Sequence, residues 1–130
     1  MTELDMMPQP SGELTLQTVA MPKDTNAAGD IFGGWLVSQM DIAGAITASE
    51  IAAGRVATVA IENMSFMIPV KVGSVVSCHT DIIEIGRSSI KIQVEVWMKE
   101  AHNNQSLKVT EGVFVFVALN EEGKTRNIPA

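Results

Sequence analysis

The hydrophobic pattern of this chain changes its period from 3.6 to 2 near Gly54, and that change decides which folds are open to it. From Gly33 to about Ala53, apolar and small residues recur at helical spacing: Leu36, Met40, Ala43, Ile46, Ala48 and Ile51. Gly54 is placed to end the run. At 1.5 Å per residue this helix is about 30 Å long. Val37, Asp41, Gly44, Ala45 and Ala48 lie nearly on one face, where small side chains let a sheet approach closely. Gly44 costs roughly 0.5–1 kcal/mol of helix propensity relative to alanine, so close packing is expected to outweigh propensity there.

After Gly54 the period is 2. Val56–Ile68 reads as extended and stops before Pro69; Gly73–Ile85 reads as a second strand, joined through Gly86 and Arg87 to a third. In that third strand Ile90, Ile92, Val94, Val96 and Met98 alternate with Ser89, Lys91, Gln93, Glu95 and Trp97. Leu107–Leu119 is a fourth, with Val113, Val115 and Val117 on one side and Phe114, Phe116 and Ala118 on the other. Ahead of the helix, Leu14, Leu16, Thr18 and Ala20 form a short extended segment that Pro22 ends, and Lys23–Ile31 is a loop. Residues 1–12, with Pro8, Pro10 and Gly12, read as a flexible N-terminal arm, leaving 13–130 as one domain. One short strand, one long helix and four strands with short links give an α+β class with an antiparallel sheet. The last strand is apolar on both sides. The helix can cover one of them, and the other points to a partner subunit.

The totals exclude several functions. A chain of 130 residues with a formal charge of −6 and no tyrosine lacks the basic stripe and stacking surface of a nucleic-acid binder. A small phosphorylated ligand stays open, because a few basic groups can converge locally. Cys78 is the one cysteine and reads as a buried small hydrophobe. No run approaches eighteen apolar residues, and the acidic N-terminus lacks the pattern of a secretory signal, so no membrane span and a cytoplasmic location are expected.

The chemistry concentrates between Asp24 and Asp41. Gly33 and Gly34 stand side by side at the helix start, where backbone N–H groups lack helical partners and no side chain shields them. Such donors, aided by the helix dipole, can hold a carbonyl oxygen as charge develops on it; they can equally serve a sharp turn. Asp41 follows Gly34 by seven residues, two helical turns along the same face. A carboxylate on a face of small residues needs a polar cavity or a ligand. It can activate water or attack a carbonyl itself, or simply be solvent-exposed or hold a structural hydrogen bond. Asn26 and Asp30 are turn or capping residues that can also position water or a carbonyl. Arg87, Ser88 and Ser89 beside Gly86 could hold phosphate or form a solvated hairpin end. Glu62 interrupts an apolar strand and reads as an edge residue or the partner of a basic side chain. His79 and His102 stand alone and no spaced ligand set exists, so no metal site is expected.

Three further stretches, GRVATVAIENMSFMIPVKVGSVV, GRSSIKIQVEVW and EGVFVFVAL, accompany TLQTVAMPKDTNAAGDIFGGWLVSQMDIAGAI in order. On this set, over about Leu14–Pro129, the chain resembles the short bacterial acyl-coenzyme A thioester hydrolases of the hotdog superfamily. The resemblance implies a hotdog fold, an antiparallel sheet wrapped around the long helix, with domains paired into a continuous sheet. It implies a homodimer as the minimal active unit and a hexamer, a trimer of dimers, as the assembly. Asp41 is then the catalytic carboxylate, meeting the thioester near the helix start of the neighbouring subunit. Gly33 and Gly34 match the oxyanion region, with Asn26 and Asp30 in the polar segment before the helix. Coenzyme A is expected along Thr58, Val59, Gly86, Arg87, Ser88 and Ser89, with Arg55 and Arg126 as phosphate partners. It is part of the substrate, and no separate cofactor is required. The alternatives are a non-catalytic acyl-coenzyme A binding or regulatory module and a dehydratase on carrier-protein substrates, the latter disfavoured because no histidine lies near the helix start.

Overall fold

The computed structural model describes residues 9–130. Of the expected N-terminal arm, residues 1–8 lie outside the described part. Ser11, inside it, is tied to the sheet: its amide donates to Glu95 Oε1 at 3.2 Å and its hydroxyl to Asp81 Oδ2 at 3.3 Å.

Strand β1 (Glu13–Val19) is followed by a single 3-10 turn (Pro22–Asp24), helix α1 (Gly33–Ala52), and strands β2 (Val56–Phe66), β3 (Val75–Ile85), β4 (Ser89–Lys99) and β5 (Leu107–Ala118). All five strands form one sheet in the order β1-β3-β4-β5-β2, every neighbouring pair antiparallel. The hairpins β3–β4 and β4–β5 follow the chain. β2, emerging from α1, crosses instead to the far side of β5. That crossing leaves β2 at one margin of the sheet and β1 at the other.

α1 lies across one face, the arrangement of the hotdog fold. Beneath it are the inward side chains of the alternating strands: Val76 and Cys78, Ile92 and Val94, Phe114 and Phe116, all essentially buried. Leu36, Met40, Ala43, Gly44, Ala48 and Ala52 are the buried residues of the helix. The close approach expected at Gly44 is present: a Cβ there would lie 2.8 Å from Phe116 Cζ. Thr47 joins the core as the end of a hydroxyl chain, 2.8 Å from Thr80 Oγ1, which is itself 2.6 Å from Thr15 Oγ1.

Two sequence expectations are corrected here. The residue that leaves the helix in the left-handed region is Ala53 (φ 52°), one position before Gly54. Gly54 is required for a different reason, because a Cβ on it would meet Arg126 Nη2 at 2.9 Å. Asp41, placed by spacing with the buried Gly44, sits at the flank of that face and is only half-buried. On the outer face of the sheet, Val113, Val115 and Val117 are half-buried. Beside them the buried Glu95 accepts from Trp97 Nε1 at 2.9 Å and lies 3.7 Å from Lys108 Nζ, so its charge is satisfied as a buried carboxylate requires.

Candidate active site

The loop before α1 is organised by one side chain. Asn26 Oδ1 accepts from the amides of Ala28 (2.9 Å) and Asp30 (3.1 Å), while the Asn26 amide donates to Asp30 O at 2.7 Å. Gly29 closes the turn at φ +87°, a conformation an L side chain resists. Ile31 N to Val70 O (2.9 Å) and Phe32 N to Asp24 O (2.9 Å) fix the exit of the loop, so α1 starts from a braced position. Asn26 thus spends its carbonyl oxygen on the loop, and its side-chain NH2 has no hydrogen-bond partner among the described residues.

At the helix start Phe32 offers no capping oxygen. The Phe32 carbonyl takes the amides of Trp35 and Leu36, and the amides of Gly33 and Gly34 have no hydrogen-bond partner among the described residues. Both glycines are exposed. A Cβ on Gly34 would meet nothing within 4 Å, and one on Gly33 only the Phe66 ring at 3.5 Å. Asn26, Asp30 and Gly33 line one cleft of about 350 Å³ with Phe66, Met67 and Leu36. Polar groups at a helix N-terminus facing an apolar wall suit a ligand with a carbonyl and a hydrocarbon tail.

Asp41 is not in that cleft. It faces the β2 margin, where Thr58 Oγ1 donates to its Oδ1 at 2.6 Å. Seven residues of helix place it about 10 Å along the axis from Gly34. A carbonyl held about 3 Å from those amides has its carbon beyond direct attack by the Asp41 carboxylate of the same chain. Within one chain, therefore, the carboxylate and the unshielded amides do not converge. Among the described residues no strand pairs with the outer side of β2, whose exposed apolar side chains include Val59 (57%), next to Thr58, and Phe66 (53%), at the helix start.

The basic residues gather at the other end of α1. Leu119 N donates to Arg55 O, Ala118 N to Ser88 O and Ile128 N to Arg87 O, which draws these segments together. Arg126 is committed differently from a free phosphate partner: Nε donates to Leu119 O and Nη2 to Ala52 O, each at 2.8 Å, closing the C-terminus of α1. Arg55 and Arg87 remain exposed. Elsewhere, Glu62 lies 3.8 Å from Lys91 Nζ, the bland role its sequence position allowed. Burial pushes the Cys78 thiol up to about 12, so it is a packed side chain and not a nucleophile. Thr58 as the partner of Asp41, and Phe66 and Met67 as the wall at the helix start, escaped the sequence reading. The one available signal was that Val56–Phe66 runs outward to Pro69, beside the turn at Asp30.

The sequence pattern of the thioesterase superfamily matches residues 28–103. The acyl-CoA thioester hydrolase YciA of Salmonella typhimurium is 54% identical over 99% of this chain and 98% of its own length. The hexameric thioesterase of Yersinia pestis is 56% identical, with a TM-score of 0.90 over 94% of this chain and 99% of that one. A hexameric broad-specificity acyl-coenzyme A thioesterase, solved as an aspartate-to-alanine mutant enzyme, is 54% identical, with a TM-score of 0.89 over 92% of this chain and 88% of that one. Helix, sheet order and sequence agree: this chain belongs to the thioesterase superfamily and has its hotdog fold.

Proposed function

We propose that this chain hydrolyses acyl-coenzyme A thioesters to the free carboxylic acid and coenzyme A, with Asp41 as the catalytic carboxylate. The observation that carries the reading is the pairing of a carboxylate oriented by Thr58 with two amides left open at the start of the same helix. Their separation within one chain supports a site shared by two chains, joined at the bare β2 margin into one continuous sheet. Asp41 of one chain then meets the thioester held at Gly33 and Gly34 of the other. The relatives named hexameric support a trimer of such dimers.

As base, Asp41 removes a proton from water while the oxygen adds to the thioester carbon. Negative charge on the carbonyl oxygen falls on the glycine amides, the step where such donors contribute most. Collapse of the tetrahedral adduct breaks the carbon–sulfur bond, and the thiolate takes up the proton. In the covalent version the carboxylate adds first, thiolate leaves, and water cleaves the resulting anhydride. Asn26 Nδ2 and Asp30 are placed to orient the carbonyl or the water. Thr58, Val59 and Gly86 to Ser89 lie along the path to the basic end, where Arg55 and Arg87 suit the phosphates; Arg126 supports them by closing the helix. These steps use only side chains, backbone and water. No helix among the described residues is long and apolar enough to cross a membrane, and with a single reduced cysteine the cytoplasm is the compartment we propose.

The test is release of free thiol over an acyl-coenzyme A panel from short to long chains. Wild-type protein should turn over several members, and Asp41→Asn should fold, retain coenzyme A binding and lose most turnover. Binding of the panel with no thiol release would make the protein a binding module, and wild-type turnover in Asp41→Asn would remove Asp41 from the chemistry.

A further inference from the structure

A second apolar surface lies on the opposite margin of the sheet from β2. β1 reaches β3 only as far as Thr80, so among the described residues the backbone of Asp81–Ile85 has no strand on its outer side. Ile82, Ile83 and Ile85 on this bare stretch, Leu14 on β1, and Ile46 on α1 are each between 39% and 53% exposed. Between β1, α1 and β3 runs a cleft of about 420 Å³, rimmed by Glu13, Glu50 and Asp81. A free strand edge flanked by large aliphatic side chains is a surface that proteins cover.

The rim selects the occupant. Carboxylates at Glu13, Glu50 and Asp81 repel a second acyl-coenzyme A and an anionic lipid surface, while Leu14, Ile46 and Ile82 beside the hydroxyls of Thr15, Thr47 and Thr80 make the mixed apolar and polar lining of a protein contact. A protein surface fits both. A closed hexamer built from dimers requires each chain to own a second contact distinct from the first. The β2 margin is taken by the dimer, and the β3 margin lies across the sheet from it, so both contacts can be made at once. We propose that the occupant is another copy of this chain, and that Leu14, Ile46, Ile82, Ile83 and Ile85 form the contact between dimers. The inference rests on the hexameric reading above.

Sedimentation equilibrium on the full chain tests it, with Ile83→Glu as the perturbation and Lys124→Glu, in the exposed turn after β5, as the control. Wild type and Lys124→Glu should sediment at six times the 13.9 kDa chain mass, and Ile83→Glu at twice it, with an unchanged circular dichroism spectrum. If Ile83→Glu fails to fold, Ile46→Glu on the solvent side of α1 is read the same way. A folded variant that stays hexameric overturns the assignment, and so does a monomer, because the patch would then serve the dimer. Wild type sedimenting as a dimer overturns the proposal through its premise, and thiol release in that sample shows separately whether the catalytic reading stands.

Discussion

Replacing Gly33 with proline removes one backbone N–H and puts the ring Cδ in its place. Gly33 is the first residue of α1, a position where proline is favoured because that N–H has no helical partner. Phe32 before it has ψ 136°, an extended value that a residue preceding proline adopts, with φ at −58°. The added Cβ meets only the Phe66 ring, at 3.5 and 3.6 Å, which is ordinary contact. No hydrogen bond of the fold is lost, so stability should change by less than about 1 kcal/mol, with any gain coming from a stiffer unfolded chain. Catalysis should respond differently. Loss of one oxyanion donor costs on the order of 10²–10³ in turnover, about 2.7–4 kcal/mol of transition-state stabilisation. The assay is thiol release at saturating acyl-coenzyme A, with a thermal melt on the same sample. Gly33→Ala, which keeps the N–H, is the control and should stay within a few-fold of wild type. A folded Gly33→Pro enzyme within threefold of the wild-type kcat would refute the oxyanion role of that amide.

Thr58→Val removes the 2.6 Å bond to Asp41; with solvent competing at an exposed threonine the loss is about 1 kcal/mol, roughly fivefold in kcat, and an unchanged kcat would show that Asp41 needs no such partner. Gly44→Ala gains about 0.5–1 kcal/mol of helix propensity but drives a methyl to 2.8 Å from the fully buried Phe116 ring. Overpacking at about 1–3 kcal/mol wins, so Tm at fixed chain concentration should fall by roughly 4 °C; a rise would mean the ring yields freely. Cys78, pushed up to about 12 by burial, stays a neutral thiol through the usual assay range. A disulfide reagent should therefore titrate no protein thiol in the native enzyme and one per chain after denaturation, and rapid native reaction would contradict its burial.

The helix and the strands were legible because each carries one clean period: Leu36, Met40 and Ala43 at helical spacing, Ile90 to Met98 by alternation. Their order in the sheet was not. Periodicity reports which face of β2 is apolar but not that the strand crosses to β5, a pairing set by where α1 delivers the chain. Gly54 announced the end of the helix but not that Ala53 would take the left-handed turn, nor that Arg126, seventy-odd residues away, would pack beside Gly54. Nor could alternation show that Arg126, a phosphate partner by resemblance, donates to Leu119 O and Ala52 O. Asp41 was visible as a carboxylate in the wrong company, yet its partner was not, since alternation in Val56–Phe66 cannot say which acid a threonine will meet. The spacing between Gly34 and Asp41 put the two on one helix face, two turns apart; that they serve different halves of a site came only from the resemblance and the dimer it implies.

That division can be measured by mixing two inactive chains. Co-expression of Asp41→Asn and Gly33→Pro chains at equal levels, each with its own tag, gives dimers of which about half are mixed. If one site takes Asp41 from one chain and the Gly33 amide from its partner, each mixed dimer holds one intact site and one doubly damaged site. The mixture should then recover about one quarter of wild-type thiol release, although neither variant alone exceeds its residual rate. Recovery of nothing beyond those residual rates, in mixed dimers isolated through both tags, would place both groups in a single chain and contradict the shared site.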